Sequence, residues 1–336
     1  MIKHTIIIAE AGVNHNGSLK KAKKLIDTAK KCGADYVKFQ YFKAEDLVQK
    51  NCELAEYQKK NSLKEKDQFS LLKKLQLSKK NLFELKKFAK KINIKFFCSS
   101  FSEKDIAFLN KINDDYFKIP SGENNNIFIL NKVIKLKKKI IISTGATTLN
   151  EINEIYRFIK LQIHKNIEKK IILMHCISKY PTEIKNLNLN FLNVMKKKFK
   201  TDIGFSDHTK SIDTGQMGSL LGCNVIEKHL TLSNLLQGPD HKSSLNPKDF
   251  KNYVKKIRLA DTALGDNIKR VSKEEYNNKQ LIRKSLVAKK NIKINDIFSE
   301  LNITAKRPAN GLSPISFIRL KGKKSKKNYK INELIK

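Results

Sequence analysis

Eight short runs of apolar and β-branched residues recur along the first 265 residues, each followed by a longer Lys-rich stretch with helical spacing, and this alternation leaves few folds open. The runs are Thr5 to Glu10, Tyr36 to Gln40, Lys95 to Ser99, Tyr116 to Pro120, Lys139 to Ser143, Ile171 to Cys176, Asp202 to Ser206 and Val225 to His229. Helical stretches include Leu19 to Cys32, Lys79 to Lys91, Ile127 to Leu136, Leu149 to Lys160, Leu189 to Lys198, Thr214 to Gly222 and Pro247 to Leu264. A strand joined to the next by a crossover helix builds parallel sheet. Eight such units in succession match an α/β fold of the (β/α)8 TIM barrel type, which takes roughly 250 residues. A doubly wound open sheet is the alternative, but no Gly-x-Gly-x-x-Gly turn follows the first run.

After Ala263 the texture changes. Gly265 to Gln280 is polar, and short strand-like runs such as Ser285 to Ala288 follow. The predicted organisation is a catalytic barrel over 1–265, a linker over 266–281 and a small domain over 282–336. The last is small for an independent core, so it is expected to lean on its own barrel or on a neighbouring subunit's.

The balance of 69 basic and 32 acidic residues gives a net charge of +37, which raises the question of nucleic acid. Nearly all of the positive charge is Lys, however, spread along the chain without the Arg forks and interleaved aromatics that read phosphates and bases. No nucleic-acid partner is expected; a lysine-rich nucleic-acid-binding barrel remains the remote alternative. The lysines read as solvated helix faces whose summed field favours anionic substrates. No apolar run approaches the roughly 20 residues that span a bilayer, so no membrane partner is expected. The run from Ile6 to Ala9 stops at Glu10, too short for a signal-peptide core, and a cytoplasmic location is expected. Five cysteines, odd in number and without CxxC spacing, read as reduced thiols with no assigned chemistry.

A barrel enzyme carries its chemistry at the C-terminal ends of its strands, and here those ends are polar. The first run ends in Glu10, the second in Lys38 and Gln40, the third in Ser99; the fourth carries Lys118, Ser121 and Glu123. The fifth ends in Ser143, the sixth is followed by Tyr180, the seventh ends in Ser206 before His208, and the eighth in Glu227, Lys228 and His229. Lys38 and Lys118 lie among apolar or small residues, where an ammonium needs an anion. With the four serines they read as a phosphate or carboxylate cradle; the alternative is that they snorkel outward or pair with Glu10 or Glu123. His208 and His229, at adjacent strand ends, read as a shared site for Mn, Co, Zn or Mg, or else as ordinary rim histidines.

The same segments resemble the sialic acid synthase family, in which N-acetylneuraminate synthases and legionaminate synthases stand close together. The resemblance rests on IAEAGVNHNGS (8–18), GADYVKFQ (33–40), FKIPSGE (117–123), STGA (143–146), HCISKYPT (175–182), IGFSDHT (203–209), IEKHLT (226–231), GPDH (238–241) and KRPANG (306–311). It implies a TIM barrel joined to a small C-terminal antifreeze-like (SAF) domain, and a domain-swapped homodimer. By the same resemblance Lys38, Ser99, Lys118, Ser121, Ser143 and Ser206 would bind phosphoenolpyruvate. His208 and His229 would hold a divalent metal, manganese first, with Mg2+ or Co2+ as alternatives. Gln40, Tyr180, Asp240 and a partner's Arg307 would meet an N-acylated hexosamine, and Glu10 or Glu123 would handle the proton of the added water. The implied reaction joins phosphoenolpyruvate, N-acetylmannosamine and water into N-acetylneuraminate and phosphate by C–O cleavage. The alternative acceptor is 2,4-diacetamido-2,4,6-trideoxymannose, giving legionaminate. The chain departs from the family pattern at Cys98, Ser99 and Ser100, where the family has Ser-Thr-Pro, at Ala146 and at Glu183; Ser99 retains a hydroxyl, and Glu183 puts the sugar rim in question.

Overall fold

The computed structural model describes residues 4–61, 65–163 and 166–336. The chain forms two compact units, 1–266 and 267–336. In the first, eight parallel strands close into a barrel in sequential order: β1 (Ile6–Gly12), β2 (Tyr36–Tyr41), β3 (Lys95–Ser100), β4 (Tyr116–Ile119), β5 (Lys139–Ser143), β6 (Ile171–Cys176), β7 (Asp202–Asp207) and β8 (Val225–His229). Among the described residues no helix is long and apolar enough to cross a membrane, and all five cysteines are free.

The two-residue pleat sorts each strand into two faces. Outward residues such as Ile7, Val37, Phe96, Phe117, Ile140 and Ile226 pack against the surrounding helices as the main core. Inward, Ile8, Tyr36, Phe97, Tyr116, Ile141, Ile172, Met174 and Val225 fill the barrel. One step further along the same inward face come Glu10, Lys38, Ser99, Lys118, Ser143, Ser206 and Glu227. The apolar plug therefore closes the N-terminal end and leaves the polar layer at the C-terminal mouth.

Local signals set the helices. Leu19–Cys32 starts on Ser18, whose hydroxyl accepts from the Lys21 N–H, and stops at Gly33, whose left-handed conformation ends the helix at small steric cost. Lys79–Lys91 carries a capping box from Ser78 and Asn81, and Pro247–Leu264 is capped by Asn246 with proline in its first turn. Outside the predicted set lie Gln68–Leu75, which packs Leu71 and Leu75 into a small cluster with Val13, Phe42 and Leu54, and Ile106–Ile112.

In the second unit β9 (Ser285–Ala288) pairs antiparallel with β10 (Ile303–Lys306) over a core of Leu286, Ala288, Ile292, Phe298, Ile303, Tyr329 and Ile335. Its first part, expected as linker, contains a helix over Lys273–Ile282 capped by Ser272.

Candidate active site

At the barrel mouth the strand ends surround a cleft of about 430 Å3. Eleven sequence-predicted residues line it: Glu10, Lys38, Gln40, Ser99, Lys118, Ser121, Ser143, Tyr180, Ser206, His208 and His229. Strand register brings neighbours together, with Glu10 beside both Lys38 and His229, Ser99 beside Gln40 and Lys118, and Ser206 beside Glu227.

Three predicted residues stand apart from the lining. Asp240 lies behind His229, its Oδ2 3.7 Å from Nδ1. Glu123 ends a 3-10 turn over Ser121–Glu123, where Asn126 donates to its Oε2 at 2.7 Å. Of the two carboxylates expected to handle the water proton, Glu10 lines the cleft and Glu123 does not, while Glu227 is a further carboxylate in the lining. Arg307 belongs to the second unit, exposed, its Nε donating to the Ile282 carbonyl at 2.9 Å.

Glu227 is the hub. Both its oxygens accept from Lys118 Nζ, at 3.1 and 3.0 Å; Ser206 Oγ donates to Oε1 at 3.0 Å, and Lys38 Nζ is 3.5 Å from Oε2. Lys38 also reaches Glu10 at 2.8 Å. Neither lysine snorkels outward, since Lys38 is 3% and Lys118 1% exposed. Burial opposes the charge on Glu227, but the ammonium groups of Lys118 and Lys38 outweigh it and hold the carboxyl well below its usual range. Glu10 moves the other way, raised by burial and by the Glu227 charge against the pull of Lys38. One carboxylate thus stays ionised as the lysines' counter-ion, and the other is the stronger base.

Gly145 packs closely against three residues of the lining, Ser121, Cys176 and Ser178. Gly145 N–H donates to Ser121 Oγ at 3.1 Å. A Cβ at Gly145 would come within 2.3 Å of Ser178 Oγ and 2.8 Å of Cys176 Sγ and Ser121 Oγ, so only glycine fits there. Cys176, given no role from sequence, lines the cleft with its Sγ 3.2 Å from Ser121 Oγ.

The two histidines carry unmet hydrogen-bond demand. Burial lowers the pKa of His208 to about 4 and that of His229 well below its ordinary value, so both rings are neutral near pH 7. His208 Nδ1 lies 2.7 Å from the Ile177 carbonyl and must carry the proton, leaving a lone pair on Nε2. The only proton of Ser206 cannot serve both that lone pair, 3.2 Å away, and Glu227. His229 Nδ1 is buried without a hydrogen-bond partner. The rings lie 5.6 Å apart by centroid, and Tyr180 sits 4.2 Å from that of His208. Two neutral, under-satisfied imidazoles fit a borderline divalent cation; among the described residues no group of three or more His, Cys, Asp or Glu side chains is arranged as a ligand set.

Residues 25–269 match the NeuB family. The chain belongs to the NeuB family. It is 46% identical to N,N'-diacetyllegionaminic acid synthase of Campylobacter jejuni subsp. jejuni serotype O:2, with all of both chains covered. The enzyme of the same name from Legionella pneumophila is 37% identical, over 96% of this chain and 90% of the relative. Among solved structures, N-acetylneuraminic acid synthetase from Leptospira borgpetersenii in complex with citrate superposes with a TM-score of 0.71 at 29% identity, over 82% of this chain and 90% of the other. Within this NeuB-family barrel the signal for Glu227 was present in the sequence: Val225, Glu227 and His229 alternate with Ile226 and Lys228, so the pleat that turns His229 inward turns Glu227 inward too.

Proposed function

We propose that this NeuB-family chain condenses phosphoenolpyruvate with the open-chain aldehyde of 2,4-diacetamido-2,4,6-trideoxymannose to give N,N'-diacetyllegionaminate and phosphate. The observation that carries the reading is 46% identity over the full length of a synthase so named. N-acetylmannosamine, the leading acceptor expected from sequence, becomes the second reading, supported by the structural likeness to an N-acetylneuraminic acid synthetase.

In this reading Lys38 and Lys118 neutralise the carboxylate and phosphate of phosphoenolpyruvate, while Ser99, Ser121, Ser143 and Ser206 orient them. Gln40 and Tyr180 meet the sugar, and Asp240, expected beside them, stands against His229 instead. A divalent cation, manganese first with Mg2+ or Co2+ as alternatives, would be held by His208 and His229 and would supply Lewis-acid polarisation of the sugar aldehyde. As C3 of phosphoenolpyruvate forms its bond to the aldehyde carbon, positive charge develops at C2, and ionised Glu227 stabilises it. Glu10 takes a proton from the water that adds to C2, its raised pKa making it the better base. Collapse of the tetrahedral intermediate breaks the C2–O bond and releases phosphate, and the cradle exchanges its anion.

The test is product mass spectrometry with each sugar in turn. The diacetamido sugar is expected to be turned over with the higher kcat/KM, yielding the legionaminate mass; a preference for N-acetylmannosamine would restore the second reading.

The small unit is proposed to be antifreeze-like and to act in trans in a swapped homodimer, with Arg307 reaching the sugar's N-acyl group. Mixing Arg307→Ala subunits with His208→Asn subunits should then return activity that neither parent has, because one hybrid site combines an intact barrel with an intact arginine. Absence of rescue after verified subunit exchange would reject the swap.

A further inference from the structure

A buried ion pair lies on the outward faces of β7 and β8, where the proposed reaction makes no use of it. Lys228 is 0% and Asp207 1% exposed. Lys228 Nζ sits 2.9 Å from Asp207 Oδ2 and donates to the Thr209 carbonyl at 2.6 Å and to Thr209 Oγ1 at 3.2 Å, which accounts for all three of its protons. Asp207 Oδ1 accepts from the Thr209 N–H at 2.9 Å, and Oδ2 from Thr214 Oγ1 at 2.5 Å and Tyr253 OH at 3.0 Å.

Chain position gives this network its meaning. Asp207 and Thr209 flank His208, and Lys228 immediately precedes His229. The β7–β8 ladder ends at the pair Asp207–Lys228, so His208 stands just beyond the last register partner. Its ring is held through Nδ1 by the Ile177 carbonyl. A single ammonium grips the backbone after His208 and the carboxylate before it, and ties both to the strand that carries His229.

We infer that Lys228 and Asp207 are positioning residues that set the spacing of His208 and His229. The inference rests on the proposal that these two imidazoles hold a divalent cation. A contribution to folding alone does not explain the pair, because a buried ion pair replaced on both sides by neutral groups of similar volume costs little stability. What neutral groups cannot reproduce is the three-point grip on residues 207 and 209.

The experiment is titration of the purified full-length protein with Mn2+, following the free ion by electron paramagnetic resonance, together with the thermal midpoint. The proteins are the wild type, His208→Asn, the double variant Asp207→Asn/Lys228→Met, and the isosteric Asp207→Asn alone. Wild type is expected to bind and His208→Asn to bind at least tenfold more weakly. The double variant is expected to keep a midpoint within a few degrees of wild type yet bind at least tenfold more weakly; Asp207→Asn is expected to bind as weakly but at a lower midpoint, because it leaves Lys228 buried without its carboxylate. If either clamp variant folds and binds within tenfold of wild type while His208→Asn does not, the clamp is overturned and the cation reading stands. If neither clamp variant folds, the pair is a fold element and the inference is likewise overturned. If wild type fails to bind, or His208→Asn binds as well as wild type, the cation reading itself falls, and the inference falls with it.

Discussion

Glu227→Gln is expected to destabilise the barrel by roughly 3–5 kcal/mol, the cost of removing one partner from a buried ion pair, and to abolish turnover. Glutamine keeps the volume but leaves the Lys118 ammonium without a carboxylate partner among the described residues, and takes from Lys38 one of its two. The pH dependence has a fixed sign. The folded pKa of Glu227 lies below its ordinary 4.5, so the pair's stabilisation is complete above that value and is lost as pH falls through the folded value. The gap in thermal midpoint between wild type and variant should therefore be widest near neutral pH and narrow below about 4.5. Phosphoenolpyruvate, by returning negative charge to the lysines, should raise the midpoint of the variant more than that of wild type. A variant as stable as wild type at pH 7 would show that Glu227 is not the lysines' counter-ion.

The second large effect is expected at His208. Alanine is the wrong replacement there, because the ring is buried against Tyr180 and bonded to the Ile177 carbonyl, and truncation would open a cavity. Asparagine retains an N–H in place of Nδ1 and lacks the Nε2 lone pair. His208→Asn should keep its fold by circular dichroism and lose at least about 100-fold in kcat, the scale reported for loss of a group that stabilises developing charge. Chelation of the wild type should have the same effect and manganese should reverse it. Full activity of His208→Asn in the presence of chelator would remove both histidines from the chemistry.

The barrel was legible because its signals are local and repeated. Strands β5, β6 and β8 and the helices Leu19–Cys32, Lys79–Lys91 and Pro247–Leu264 fall where periodicity placed them, since Ser18, Ser78 and Asn246 mark helix starts in the sequence itself. Gln68–Leu75 escaped because only eight residues carry its pattern and its partners, Val13, Phe42 and Leu54, are distant in the chain. The site was legible to the extent that strand ends converge in a barrel, which gathered eleven residues from eight segments. Glu123 falls outside the cleft lining because a 3-10 turn after β4 carries it to Asn126, which counting along the chain cannot show. Glu227, visible at the end of the eighth run, carries no role in the sequence because its importance comes from two lysines on β2 and β4, and only closure of the barrel brings them to it.

The fate of the bridging oxygen decides whether the cleft joins phosphoenolpyruvate to an aldehyde sugar with cleavage at C2–O. Phosphoenolpyruvate labelled with 18O between C2 and phosphorus is incubated with the protein, manganese and 2,4-diacetamido-2,4,6-trideoxymannose, and the released phosphate is weighed by mass spectrometry. Phosphate is expected to appear only when the sugar is present and to carry the label, while the new nine-carbon acid does not. Unlabelled phosphate with the label retained in the organic product, or phosphate release that is independent of the sugar, would contradict this reaction.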